Sequence, residues 1–265
     1  MVALRFVMWC GGLLYSMGEG LALFLCHVSR FFALVWTIIV RVPLLFKNVV
    51  MSIEQMYAIG VESLPLVTVI AIFTGATTVT QAVYQFSGFV PMKYLGVAVC
   101  KTLITEIGPV FTSMVVAGRI STAIAAEIGS MKVNEQLDAM ACLNLDSVRY
   151  LFVPKTVACV IMVPMLVIFA ELIAFVSSIF TVIFSVKVTL YVYLTGLRLF
   201  FDPSSLLIGV AKTSVFGLII ALTGCYFGLQ TRGGAEGVGN STTKAVMASC
   251  VLILVSDFII AFLTL

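Results

Sequence analysis

The stretch EIGSMKVNEQLDAM, residues 127–140, sets Glu127, Lys132, Glu135 and Asp138 within twelve positions of a chain in which 10% of residues are charged. A second polar set, Thr74, Thr77, Thr78, Gln81 and Gln85, lies in a segment, 63–92, that carries no charge at all. Catalysis is the first chemistry to weigh against these residues. A hydrolase needs a nucleophile with its base, a pair of aspartates or a metal-binding triad. None is visible. The single histidine, His27, stands far from both sets, no H-E-x-x-H occurs, and the seven cysteines form no C-x-x-C pair. The cysteines lie mostly in apolar runs and read as small buried hydrophobes, so no metal site is expected. The glycine-rich TRGGAEGVGNSTTKAV, residues 231–246, lacks the G-x-x-x-x-G-K-[ST] order that cradles nucleotide phosphates. If ATP drives this protein, another chain binds it.

The elements that must position these residues are membrane helices. Hydrophobic residues make up 62% of the sequence and mean hydropathy is +1.19, far above soluble domains. Segments 63–92 and 213–231 are uncharged and each long enough to cross about 30 Å of hydrocarbon. The net charge of +3 is small and its basic residues are scattered, so nucleic acid is not an expected partner. Five spans are expected, at about 64–85, 94–126, 156–185, 206–229 and 244–265, making residues 51–265 one all-α integral membrane domain.

Residues 1–50 form a separate membrane-associated segment. Its Arg5, Glu19, His27, Arg30 and Arg41 fall within about 80° on a helical wheel, which describes a helix lying in the membrane interface. The alternative is an ordinary first span with tolerated charges, and no cleavage site of the A-x-A kind marks a signal peptide.

Within the spans, the threonine and glutamine stripe follows i, i+3, i+4, i+7, i+11 spacing and occupies one side of the first helix. Such groups face other helices, as interhelical hydrogen bonds, or a wetter substrate path. The second helix carries Glu106, the Gly108-Pro109 pair and Arg119, and Pro109 should kink it. Beyond, Ala117, Ser121, Ala125 and Gly129 recur every fourth residue, a face that permits close helix approach. Val133, Leu137 and Met140 oppose Lys132, Glu135 and Asp138, so a short amphipathic helix is expected within a loop segment at 127–150. The bias of Lys and Arg puts that segment and the N-terminus on the cytoplasmic side.

Residues 106–155, from EIGPVFTSMVVAGRISTAIAAEIG to YLFVPK, resemble the signature region of the MlaE/YrbE permeases. Residues 234–258, GAEGVGNSTTKAVMASCVLILVSDF, are similar to their C-terminal signature. These are the membrane subunits of ABC transporters that work with MCE-domain proteins. The resemblance implies a homodimer in a bacterial inner membrane, bound to two cytoplasmic ATPase subunits that hold ATP and Mg, with a periplasmic MCE protein and a small cytoplasmic regulatory subunit. It implies transport of phospholipid or a related lipid between the inner membrane and the outer envelope. It makes the segment at 127–140 a coupling helix, with Glu127, Met131, Glu135, Gln136 and Asp138 as ATPase contacts and Lys132 beside them. Asn240-Ser241 stands where relatives commonly have Arg-Ala. Thr74, Thr78 and Gln81 are then candidates for lining the lipid path. Glu106 and Arg119 either hold a headgroup or pair with charges on other helices. The rival reading is an ATP-independent carrier or a scaffold that anchors envelope partners, although inverted repeats are not evident; an enzyme is the weakest reading.

Overall fold

The protein is described by a computed structural model covering residues 25–26, 29–41, 49–86, 94–185, 189–199 and 203–264. Arg5, Glu19 and His27, on which the interfacial reading of the N-terminus rests, lie outside the described residues, as do Lys93 and Lys187. All regular structure among the described residues is helical. After α1 (29–41) come α2 (Val49–Gly60), α3 (Leu64–Phe86), α4 (Leu95–Thr102), α5 (Gly108–Val133), α6 (Gln136–Cys142) and α7 (Val153–Ser185). The chain continues through α8 (Leu190–Leu199) and α9 (Pro203–Leu229) to α10 (Gly234–Thr264). Five stretches are long and apolar enough to cross a membrane: Val50–Phe86, Leu95–Val133, Val148–Phe184, Ser204–Leu229 and Gly234–Thr264. The chain is a multi-pass membrane protein.

Three of the five stretches are broken where proline interrupts the backbone ladder. Pro65 cannot donate to the carbonyl four residues before it, and a single 3-10 turn, Val61–Ser63, joins α2 to α3. Ahead of Pro109 the helix widens into a π turn, Leu103–Ile107, and ahead of Pro154 into another, Val148–Phe152. At about 1.5 Å per residue the 37 residues of Val50–Phe86 exceed the hydrocarbon thickness. The elbow at 61–63 therefore divides a membrane-crossing α3 from an α2 that continues past it.

The helices pack around α5. It lies against α9 and α10, while α7 packs on α3, α2 and α9. The small-residue face permits this: Ala117, Ser121 and Ala125 are fully buried. Glycines answer it from α9. A Cβ at Gly224 would stand 2.9 Å from Ile124 Cγ2, and one at Gly228 2.9 Å from Ile128 Cβ. Between α5 and α10, Ser249 Oγ donates to Ser121 Oγ at 3.1 Å and meets Thr223 of α9, a buried hydroxyl cluster joining three helices. The outward faces of α7 and α10 present Met165, Leu172, Phe180, Val251, Phe258 and Phe262, apolar surface suited to lipid tails.

Three local expectations need correction. The fifth span starts earlier than expected: α10 begins at Gly234, ten residues before Lys244, and within the glycine-rich stretch only Gly233 and Gly234 take positive φ. A helix tolerates the remaining glycines because packing, rather than propensity, decides membrane helices. Residues 127–140 are not one amphipathic helix. Here α5 runs on to Val133, Glu135 takes a left-handed φ of 58°, and α6 starts afresh at Gln136. Val133 consequently loses phase with Leu137, being 36% exposed where Leu137 is 7%. The connection after the third span contains a helix of its own, α8, which packs on α4. Its Tyr193 is buried and donates to Ser178 Oγ at 2.9 Å; burial pushes the phenol up to about 12, so it remains a neutral donor.

Candidate functional site

Two groups of residues emerge, one at the α6 end of the bundle and one facing a cavity nearer the α8 end. The cavity, about 320 Å³, opens between α3, α4 and α5. Its α3 wall is the predicted stripe: Thr74, Thr77, Thr78, Gln81 and Gln85 all line it. Thr102 of α4 adds a sixth polar group, and Phe86 of α3 with Ile107 and Phe111 adds apolar lining. The helical period produces this division. Val67, Ala71, Gly75 and Val79 turn to α7, where a Cβ at Gly75 would stand 2.2 Å from the Ala174 carbonyl oxygen. That seam leaves the adjoining stripe free to face the cavity. A shallower recess, about 570 Å³, continues outward past Thr77, Thr80, Gln81 and Gln85.

Thr77 and Thr78 spend their hydroxyl protons on carbonyls one turn back, Phe73 O at 2.8 Å and Thr74 O at 2.7 Å. Thr74, Thr102, Gln81 and Gln85 make no side-chain hydrogen bond among the described residues. The cavity thus offers uncharged donors without partners, inside a membrane-crossing stretch.

Neither Glu106 nor Arg119 lines this cavity. Arg119 donates to Glu62 Oε2 at 2.6 Å, to Ala58 O at 3.2 Å and to Ser63 Oγ, so it closes over the α2–α3 elbow and satisfies backbone there. Glu106 accepts from Lys212 Nζ at 3.1 Å, and Lys212 also donates to Asp257 Oδ1 at 3.0 Å and Thr105 O at 3.4 Å. The last contact has a cause in the covalent chain. Pro109 has no N–H for the Thr105 carbonyl, and the ammonium occupies that orphaned acceptor. Sequence reasoning missed Lys212 and Asp257 as a pair. A basic residue inside one span and acidic ones inside two others were the available signal.

At the α6 end, Glu127 does not stand free. It accepts from the buried Lys155 of α7 at 2.6 Å, and Lys155 also donates to Gln55 of α2 at 3.1 Å. Met131 is half-buried against the core. Lys132 and Asp138 pair with each other across the turn at 3.3 Å. Glu135 and Gln136 are exposed, together with Leu143 at 72% and Leu145 at 42%, beyond the end of α6. Arg41 of α1 reaches the following segment through a 2.7 Å contact with Asp146. Of the six residues predicted at this end, four are thus tied within the chain and two face outward. No group of three or more His, Cys, Asp or Glu able to hold a metal occurs among the described residues.

A bundle of five spans, a polar-walled cavity within them and a protruding turn with Glu135 and Gln136 facing outward fit a membrane transport subunit. Residues 52–263 match the Permease MlaE family, and the chain belongs to it. A probable ABC transporter permease protein of Rickettsia bellii is 38% identical over 224 residues, covering 84% of this chain and 85% of that one. Its counterpart in Synechocystis is 36% identical, covering 80% and 81%. Protein trigalactosyldiacylglycerol 1, chloroplastic, of Arabidopsis thaliana is 31% identical over 210 residues, covering 79% of this chain and 60% of its own length. The chain is an ABC transporter permease of the MlaE family, a transporter component rather than a catalyst.

Proposed function

We propose that this permease moves phospholipid or a related lipid between the inner membrane and the outer envelope, with the energy supplied by separate ATPase subunits that bind ATP and Mg. The carrying observation is the polar wall of α3: the unpartnered hydroxyl of Thr74 and amides of Gln81 and Gln85, held beside apolar side chains within a spanning stretch, suit an amphiphile rather than an ion. The name of the Arabidopsis relative, built on a diacylglycerol lipid, supports a lipid substrate. Two copies of the chain, with the α3 faces walling a shared path, form the working permease, and an MCE-domain protein receives or delivers the lipid. A small cytoplasmic regulatory subunit completes the assembly.

The α6 end faces the cytoplasm in this reading, and the N-terminus lies on the same side. Glu135, Gln136 and the exposed Leu143 and Leu145 contact the ATPase. Motion enters through the turn at Asn134–Glu135 and passes along α5, whose close packing on α9 and α10 lets it move as a unit. Glu127, Lys132 and Asp138 hold the shape of the docking surface more than they touch the partner.

Reconstitution with the ATPase and the MCE protein in vesicles containing labelled lipid tests the whole reading. ATP-dependent lipid movement is the expected result, and its absence with all subunits assembled would defeat the assignment. The variant Glu135→Lys with Asp138→Lys should insert normally yet lose most ATP-driven transport; transport equal to wild type would sink the coupling role of this turn.

A further inference from the structure

The cavity discriminates between parts of a lipid by what its walls lack. Among the described residues, its lining holds no charged side chain. Two cations of the spans are already engaged, Arg119 by Glu62 and Lys212 by Glu106 and Asp257. Lys101 of α4 does not line the cavity. A phosphate or carboxylate headgroup drawn out of water requires Arg, Lys or a cradle of backbone N–H groups. Helical backbone on both walls withholds its N–H groups, which are spent in the ladder. A free ammonium headgroup would require a carboxylate or a cage of several aromatic rings; the described lining residues include no carboxylate and two rings, Phe86 and Phe111.

The free groups are the amides of Gln81 and Gln85 and the hydroxyls of Thr74 and Thr102, all uncharged, all able to donate. They share the cavity with Phe86 of the same helix and with Ile107 and Phe111 from the chain beyond α4. The complement to such walls is an uncharged acceptor bonded directly to hydrocarbon. In a diacyl lipid that is the pair of ester carbonyls at the top of the acyl chains.

We propose that this cavity binds the glycerol-ester region of a diacyl lipid, with Gln81 and Gln85 donating to ester carbonyls, so that the permease selects its lipid by the acyl linkage rather than by headgroup charge. The inference rests on the lipid reading given above. A headgroup then projects beyond the cavity, past the shallow recess at Thr80, and adds little to selection.

The test uses the full-length chain purified in detergent and offered equimolar diester and diether phosphatidylglycerol with identical chain lengths. Retained lipid is quantified by mass spectrometry. Loss of one or two hydrogen bonds predicts that diester is retained about three- to tenfold over diether. Repeating the competition with diester phosphatidylcholine against diester phosphatidylglycerol should give equal retention. Gln81→Leu combined with Gln85→Leu should bring the diester to diether ratio to unity, while Gln81→Asn, which keeps the amide, should preserve part of it. Thr74→Val supplies an isosteric variant that removes one donor without adding bulk. Equal retention of diester and diether by the wild type, or a preference that follows headgroup charge, would overturn the proposal while leaving the lipid permease intact. Failure to retain any lipid would overturn both.

Discussion

Two buried lysines tie this bundle together, one beside the α6 turn and one within the spans, and they are built on different electrostatic terms. Lys155, 3% exposed in its side chain, meets one carboxylate, Glu127, and one neutral amide, Gln55. Lys212, equally buried, meets two carboxylates and a carbonyl that Pro109 has left without its usual donor. The first cluster is neutral as a set, and its carboxylate is half in contact with the surroundings at 49% exposure. The second carries one ammonium against two carboxylates in the membrane interior, with Asp257 only 15% exposed. An ammonium of this kind is an obligatory counter-charge, whereas Lys155 is a strut between α2, α5 and α7 beside the α6 turn. Breaking the first should therefore perturb the bundle end that faces the proposed ATPase, and breaking the second should perturb the bundle itself.

The largest effect is expected for Lys212→Met. Two carboxylates would be left facing each other without a cation, a change that costs about 3–5 kcal/mol in buried pairs. Thermal unfolding in detergent should show a much lowered midpoint, and the triple variant with Glu106→Gln and Asp257→Asn should recover most of it. Next comes Lys155→Met, where Glu127 can rehydrate; a loss of about 1–3 kcal/mol follows from the missing charged hydrogen bonds. A Lys155→Met protein as damaged as Lys212→Met would erase the distinction between the two clusters. The smallest pair sharpens it from within. Asp257→Asn should lower the unfolding midpoint more than Glu106→Gln, because Asp257 is the more buried partner and the half-exposed Glu106 is replaced more cheaply. The reverse order would mean that Glu106, not Asp257, is the principal counter-ion.

Much of the fold was legible in the residue order, and particular features show why. Uncharged runs at 63–92 and 213–231 require helices because backbone polar groups in hydrocarbon must be satisfied within the segment. The four-residue repeat from Ala117 to Gly129 announces a close helix contact, and Gly224 and Gly228 supply it. The stripe at Thr74, Thr78 and Gln81 announces a polar face, which lines a cavity. The break at Glu135 was not legible. A left-handed non-glycine residue is set by how the end of α5 and the start of α6 each seat on the core, and no local composition marks it. Nor was α8 legible as a separate element: its apolar run is too short to cross the membrane, and its place is set by packing on α4 and by Tyr193 meeting Ser178.

What the sequence by itself determined is the solvent of each segment and where its backbone lacks a donor. Hydropathy, the period of polar residues and the missing N–H groups of Pro65, Pro109 and Pro154 are local properties, written residue by residue. What only the tertiary structure decided is the partner of each membrane-embedded charge. Glu106 and Lys212 are separated by 106 positions, and Lys155 and Gln55 by 100. Any of several acidic and basic groups satisfied the need for a counter-charge on composition alone. The packing of α5 against α9 and α10, and of α7 against α2, selected which pairs come within 3.1 Å, because a short-range interaction depends on the full three-dimensional path between its ends.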